Sequence, residues 1–282
     1  MLSYQHAYHA GNFADVHKHL ALYWLVRALH RKDSAISLID THAGRGLYPL
    51  SASETQKNGE YRAGVAQVWA QRNALDSASP IGEWLAQLAT LQRGNTLACY
   101  PGSPWWLGGL QRPQDKLTLY ELHPQEHASL TEQGLSTQSG QLRLHADGLE
   151  GLRNVLPVAT PRVCVLIDPS YELKTEYRDV TKTIRQVARK ARHAVVLLWY
   201  PILPSNRHER MLDSLRQSGI PKMWRSELNL GASAGEHGMQ GSGLVLLNPP
   251  WQLDQQLGKA FSTLASMLAD GASHRSGWLA GE

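Results

Sequence analysis

Short apolar runs alternate along this chain with stretches in which apolar residues return every third or fourth position. Runs at 35–40, 117–121, 142–145, 163–168, 194–199, 223–228 and 244–247 predict seven strands. Helical periodicity covers 15–30, 175–192 and 207–217, and a terminal stretch carries Leu253, Leu257, Phe261, Leu264 and Leu268 on one stripe. Strands separated by helices imply an α/β fold, with a seven-stranded, mostly parallel sheet covered by helices on both faces. The rhythm breaks after Gly46, because the next strand arrives near Lys116 rather than within one crossover helix. Helical patterns at 60–71 and 80–91 fill the gap, the second opening with Pro80 at a first-turn position. A single domain over 1–282 is expected, with a helical subdomain at 49–98 inserted after the first core strand. Glycine and serine mark a loop at 231–243, and the tail from Gly271 reads as loosely held.

Composition narrows the setting. With 282 residues, 42% of them hydrophobic and 18% charged, the chain can bury a large core. Its longest apolar run, 194–199, is strand-length, far below the roughly 20 residues of a membrane span. The opening Met1-Leu2-Ser3-Tyr4-Gln5-His6 lacks the basic and apolar segments of an export signal, so a cytoplasmic protein off the membrane is expected. Only Cys99 and Cys164 are present, which argues for reduced thiols and against a disulfide framework or a four-cysteine zinc site. A net charge of +4 leans towards an anionic partner. Lys182, Arg185, Arg189, Lys190 and Arg192 gather on one side of a predicted helix, either as a solvated face or as part of such a contact.

The most specific chemistry lies where the run ending at Ile167 meets Asp168-Pro169-Ser170-Tyr171. An exocyclic base amine is conjugated with its ring and poorly nucleophilic. A carboxylate and a neighbouring backbone carbonyl can accept its two hydrogens and orient its lone pair. Asp168 and the Pro169 carbonyl supply those acceptors, Pro169 stiffens the turn, and Tyr171 is expected to stack on a base taken out of its helix. An ordinary strand ending in a proline turn has the same local sequence. At the first strand end, Asp40-Thr-His-Ala-Gly44-Arg-Gly46 offers two glycines for a tight turn and close ligand approach. The third glycine of the dinucleotide pattern is missing, and Asp40 suits the methionine ammonium of S-adenosylmethionine. Glu121 ends the second strand, where an acid can accept ribose hydroxyls, and Asp147-Gly148 follow the third, where adenine would lie. The amino-terminal segment is dense in His and Tyr but matches no metal-ligand spacing, so no metal is expected. Lys18 and His19 are read as reaching the cofactor carboxylate, and Tyr4 and His6 as facing the substrate base or phosphate.

Taken together, Met-Leu-Ser-Tyr-x-His, His-Ala-Gly-Asn-x-Ala-Asp-Val-x-Lys-His, Asp-Thr-His-Ala-Gly-x-Gly, Tyr-Pro-Gly-Ser-Pro, Glu-Leu-His-Pro, Ala-Asp-Gly, Asp-Pro-x-Tyr-Glu and Leu-Trp-Tyr-Pro resemble the RlmJ family over nearly the whole chain. The resemblance implies a Rossmann-like, class I S-adenosylmethionine-dependent methyltransferase acting on the N6 amine of an adenine in 23S ribosomal RNA. It further implies cofactor contacts from Lys18, His19, His42, Ser103, Glu121, Asp147 and Gly148, with Asp168 beside the cofactor as catalytic acceptor and Tyr4 positioning the target base. A monomer is expected. One departure stands out: Ser170 occupies the second proline of the family's Asp-Pro-Pro-Tyr, leaving both acceptors in place, so activity is expected with a modest positioning loss. A competing motif of similar sequence, Asn248-Pro-Pro-Trp251, follows the last predicted strand, which would run antiparallel and put it on the far edge of the sheet. Three rivals stay open from the residues alone: a DNA adenine-N6 methyltransferase, a catalytically weakened RNA-binding or assembly protein, and a small-molecule or protein amide methyltransferase.

Overall fold

The structure, a computed structural model, describes residues 4–133, 140–231 and 238–281. Helix α1 (Phe13–Leu29) leads into β1 (Ile36–Asp40). Between β1 and β4 lie β2 (Leu47–Pro49), α2 (Ser53–Asn58), α3 (Val65–Ala70), α4 (Pro80–Ala89), β3 (Cys99–Pro101) and α5 (Ser103–Leu110). Then follow β4 (Lys116–Tyr120), α6 (Pro124–Glu132), β5 (Gln141–Leu144), α7 (Gly148–Val155), β6 (Arg162–Ile167), α8 (Glu176–Lys190) and β7 (Val195–Ile202). The chain closes with α9 (Arg207–Arg216), β8 (Met223–Asn229), β9 (Gly241–Leu247), α10 (Leu253–Leu268) and β10 (Ser273–Ala280).

Eight strands form one sheet in the order β10-β8-β9-β7-β6-β1-β4-β5. Pairings from β7 through β6, β1 and β4 to β5 are parallel, whereas β9 runs antiparallel to both β7 and β8. The carboxyl ends of β5, β4, β1 and β6 therefore share one edge, where loops from an open α/β sheet form a crevice. Central strands are apolar throughout because both faces are covered: β1 and β9 are buried at every position. The two-residue alternation of a strand splits their side chains between two cores. Leu38, Leu166 and Leu197 meet α1, α5 and α10 on one side, while Ile39, Val165 and Leu198 meet α7, α8 and α9 on the other.

Helix boundaries follow local chemistry. The Asn12 side chain accepts from the Asp15 amide and starts α1, and the Ser79 hydroxyl does the same for Gly82 ahead of Pro80 in α4. All five residues of the predicted terminal stripe are buried in α10. The helical stretch expected at 60–71 is split at Gly64 into a 3-10 turn (Glu60–Ala63) and α3. Val65, Trp69, Trp84 and Leu88 join the same core as α1, and the β2–β3 ribbon pairs the two ends of the segment running between them.

Two expectations are corrected. The sheet has eight strands rather than seven, because the tail expected to be loosely held is β10, hydrogen-bonded along β8. Its sequence, Ser-His-Arg-Ser-Gly-Trp-Leu-Ala, has no apolar run because it is an edge strand that buries only Leu279. The loop expected at 231–243 gives up its last three residues to β9, and 232–237 lie outside the described residues.

Candidate active site

A cavity of about 660 Å³ opens at the shared carboxyl edge. Every predicted site residue lines it except Asp40, Gly46 and Tyr171. Tyr4, His6, Lys18 and His19 enter from the amino-terminal segment and α1, His42 and Gly44 from the turn after β1, and Ser103 from the start of α5. Glu121, Asp147, Gly148, Asp168 and Pro169 enter from the ends of β4, β5 and β6.

On the α1 side, a chain of short contacts runs inward. The Tyr4 hydroxyl lies 2.9 Å from His6 Nδ1, and His6 Nε2 lies 2.9 Å from Asp15 Oδ2. A His6 protonated on Nε2 satisfies both, accepting from Tyr4 and donating to Asp15. Asp15 Oδ1 then meets Lys18 Nζ at 2.9 Å, and the same ammonium donates to Asp168 Oδ2 at 2.6 Å. Burial opposes the charge on Asp15, yet His6 and Lys18 hold its carboxyl well below the usual range. Burial also opposes the Lys18 cation, but Asp15 and Asp168 raise its pKa above that of a free lysine. For Asp168 burial prevails and its carboxyl is pushed up, with the Lys18 ammonium pulling it back. One Asp168 oxygen is thus committed to Lys18, and the other has no described hydrogen-bond partner in the protein. Sequence reasoning missed Asp15 as the hub, although its place three residues before Lys18 puts the two on one helix face.

On the side of β4 and β5, backbone amides and a few side chains shape the cavity. Gly44 and Gly46 both adopt left-handed conformations, and a Cβ on Gly44 would come within 2.4 Å of the Tyr48 hydroxyl. Gly44 N donates to Glu121 Oε2 at 2.7 Å and His123 N to Glu121 Oε1 at 2.7 Å, so this carboxylate keeps a second lone pair on each oxygen for a ligand. Burial pushes the Glu121 carboxyl up. Arg45 grips Glu126 through Nε at 3.0 Å and an amino group at 2.6 Å, tying the turn to α6. Asp147 caps α7 by accepting from Glu150 N at 2.9 Å, and a Cβ at Gly148 would come within 1.9 Å of the Thr41 carbonyl, so α7 and β1 need glycine there to meet. His19 Nδ1 is set by the Tyr100 hydroxyl at 2.8 Å. Burial keeps His19 neutral, and drives His42 down to about 4, so neither competes with a cationic ligand.

Three expectations change. Asp40 is fully buried beneath the turn after β1, where Oδ1 accepts from His42 N at 3.1 Å, so it supports that turn instead of presenting a carboxylate to the cavity. Gly46 lies behind Gly44 and accepts from Gly102 N at 2.7 Å. Tyr171 has a left-handed backbone, φ 56°, that swings its ring into the core against Tyr177. There its hydroxyl donates to the Trp199 carbonyl at 2.8 Å, so Pro169 and Ser170 face the cavity while the ring expected to stack on a base does not. The Asn248 motif sits at the end of β9, on the opposite edge, with Nδ2 donating to the Arg192 and Ala194 carbonyls. His17, also in the dense amino-terminal segment, is a core residue held between Ser226 and Ser242.

S-adenosylmethionine fits what this edge offers: lone pairs on the Glu121 carboxylate, a turn whose Gly44 lets the backbone approach a ligand, and Asp147 at the next strand end. Burial pushes the Asp40 carboxyl up to about 7. A carboxyl raised in the folded state is ionised in the unfolded chain first, so stability falls as pH rises from about 4 to about 7. The expected slope is about 1.4 kcal/mol per pH unit, and it should be absent from Asp40→Asn. Denaturant titrations of both proteins at pH 4.5, 5.5 and 6.5 test this, and parallel pH dependences would exclude it.

Comparison with known proteins adds an independent line. The family model described as "Ribosomal RNA large subunit methyltransferase D, RlmJ" matches residues 33–280. The ribosomal RNA large subunit methyltransferase J of Escherichia coli (strain K12) is 35% identical over 268 residues, 95% of this chain and 94% of that protein. Its namesake from Haemophilus influenzae is 34% identical over 269 residues, with the same coverage. The crystal structure of protein LPL1258 from Legionella pneumophila superposes with a TM-score of 0.89 at 33% identity, covering 96% of this chain and 98% of that one.

Proposed function

Because this chain belongs to the RlmJ family of large-subunit ribosomal RNA methyltransferases, we propose that it methylates the N6 amine of an adenine in 23S ribosomal RNA, with S-adenosylmethionine as donor. The observation that carries the reading is that the Asp168–Pro169 strand end opens into the same cavity as Glu121 and Asp147. Cofactor and acceptor amine can therefore meet along one edge of the sheet.

When bound, the cofactor supplies a methyl group on a sulfonium, already an excellent leaving group, so the protein's task is positioning and charge. Glu121 would hold the ribose hydroxyls, Asp147 and Gly148 the adenine side, and Gly44 with its flanking backbone the methionine portion, with Ser103, His19 and His42 closing the pocket. The free Asp168 oxygen and the Pro169 carbonyl would accept the two N6 hydrogens of the target base and turn its lone pair outward. Lys18 restrains Asp168 from the opposite side, which limits the carboxylate to that orientation. Once the amine has become cationic, Asp168 takes its extra proton or passes it to water. Tyr4, stacked on His9 at 5.5 Å, and His6 line the approach and would contact the base or its phosphate. We assign residues 49–98 as an inserted helical subdomain that contributes to RNA docking. The enzyme would act as a cytoplasmic monomer.

The test is to incubate the protein with labelled S-adenosylmethionine and unmodified 23S RNA, 16S RNA or duplex DNA, then identify the methylated nucleoside. N6-methyladenosine from 23S RNA alone is the expected product. A DNA product, or no transfer to any polymer while the cofactor binds, would overturn the reading.

A further inference from the structure

We propose that the groove between α8 and α9 is a phosphodiester-binding track that guides RNA to the cavity. On the α8 wall stand Arg178, Lys182, Arg185 and Arg189, spaced by four, three and four residues so that they share one face. Arg207 and Arg210 form the α9 wall, and Lys174 stands just ahead of α8. All seven are exposed, and no carboxylate lines the groove among the described residues. Of these cations only Arg178 has an acidic partner within 4 Å among the described residues, Asp179 at 3.8 Å. Like charges gathered around one groove repel one another, which an anion lying between them would relieve.

Three further observations favour a strand of phosphates over plain solvation. The acids of α8 are segregated: Glu176 and Asp179 line the cavity and not the groove. Arg185 reaches across to the Ser214 carbonyl and hydroxyl at 3.0 and 3.1 Å, which fixes the guanidinium over the groove while it keeps further N–H groups free. The Tyr177 hydroxyl is buried in the groove lining without a hydrogen-bond partner. Lys182 lines both the groove and the cavity, so the two adjoin at that side chain. From Arg178 to Arg189 the helix rises ~16 Å, which gives the row the reach of several nucleotides.

The track rests on the proposed RNA substrate, so its test reads binding separately from methyl transfer. A triple variant, Arg185→Gln, Arg189→Gln and Arg210→Gln, removes three exposed charges, and a control, Arg31→Gln, Lys116→Gln and Lys259→Gln, removes as many exposed charges outside the groove. Affinity for a 23S RNA fragment is measured from about 50 to 200 mM salt. Cofactor binding and kcat are followed alongside. The groove variant should bind RNA roughly 10- to 100-fold more weakly, with a log–log salt slope smaller by about 2 to 3. Cofactor affinity and kcat at saturating RNA should match the parent, and the control should bind RNA like the parent.

Unchanged affinity and slope, or equal losses in both variants, would overturn the track even if 23S RNA is methylated. If the parent methylates nothing yet its RNA binding depends on the groove, the track stands and the methyltransferase reading falls. A groove variant that loses only its binding to anionic lipid vesicles, with RNA affinity intact, also overturns the track.

Discussion

Asp168→Ala should lower methyl transfer to RNA by roughly 10³-fold or more while the protein still binds S-adenosylmethionine. The loss combines the removed acceptor with the lost orientation of the amine, effects typically of 10²–10⁴-fold for proton transfer alone. Cofactor binding should survive because Glu121, Asp147 and the Gly44 turn stand on other strands. The pH dependence has a definite sign. Burial pushes the Asp168 carboxyl above its ordinary range, and the amine needs the ionised form as acceptor. Parent kcat should therefore rise with pH through a pKa above roughly 4 and then level off, and the residual activity of the variant should lack that limb. Single-turnover rates with calorimetric cofactor titration measure both quantities; retained turnover would remove Asp168 from the chemistry.

A comparable effect on stability is expected from Lys18→Met. Lys18 is 4% exposed and its ammonium holds two carboxylates, so its loss leaves Asp15 and Asp168 facing each other's charge in a buried setting. Breaking a buried pair by deleting one partner costs about 3–5 kcal/mol, because the remaining ion has neither water nor counter-charge. Asp15 adds a pH signature in the parent. Its carboxyl is held below the usual range, so its stabilisation is present above pH 4 or so and is lost as pH falls through the depressed value. In Lys18→Met that trend should reverse, since protonation would now relieve the uncompensated acids. Adding Asp15→Asn should cost less than the sum of the single changes, because the sites are in contact. Urea unfolding at pH 7 decides it, and a Lys18→Met protein within about 1 kcal/mol of the parent would contradict the buried-cation account.

The strand ends were the legible part of the site. Asp168 and Glu121 each close an apolar run and Asp147 follows the next strand, and a parallel sheet must bring such ends to one edge, so their meeting in a cavity follows from pattern and topology together. Asp15 was less visible, because an acid in the first turn of a helix usually serves the helix dipole. Its contacts reach back to His6 and out to Lys18, which in turn holds Asp168, 150 residues further along the sequence. The edge strand β10 escaped notice because burying one residue leaves no run or alternation to read.

Local sequence thus determined which segments become strands and helices, which acids stand at strand ends, and the resemblance to one methyltransferase family. Those properties depend on neighbours within a turn or a run. Tertiary structure alone decided the sheet order, the eighth strand and the aim of individual side chains. Tyr171 read as a stacking face until its left-handed backbone turned the ring into the core, and Asp40 read as a ligand until α5 and the turn covered it. The cationic groove belongs to the same class, since α8 supplies one wall and α9 the other, and only packing brings separately encoded charges close enough to act on one anion.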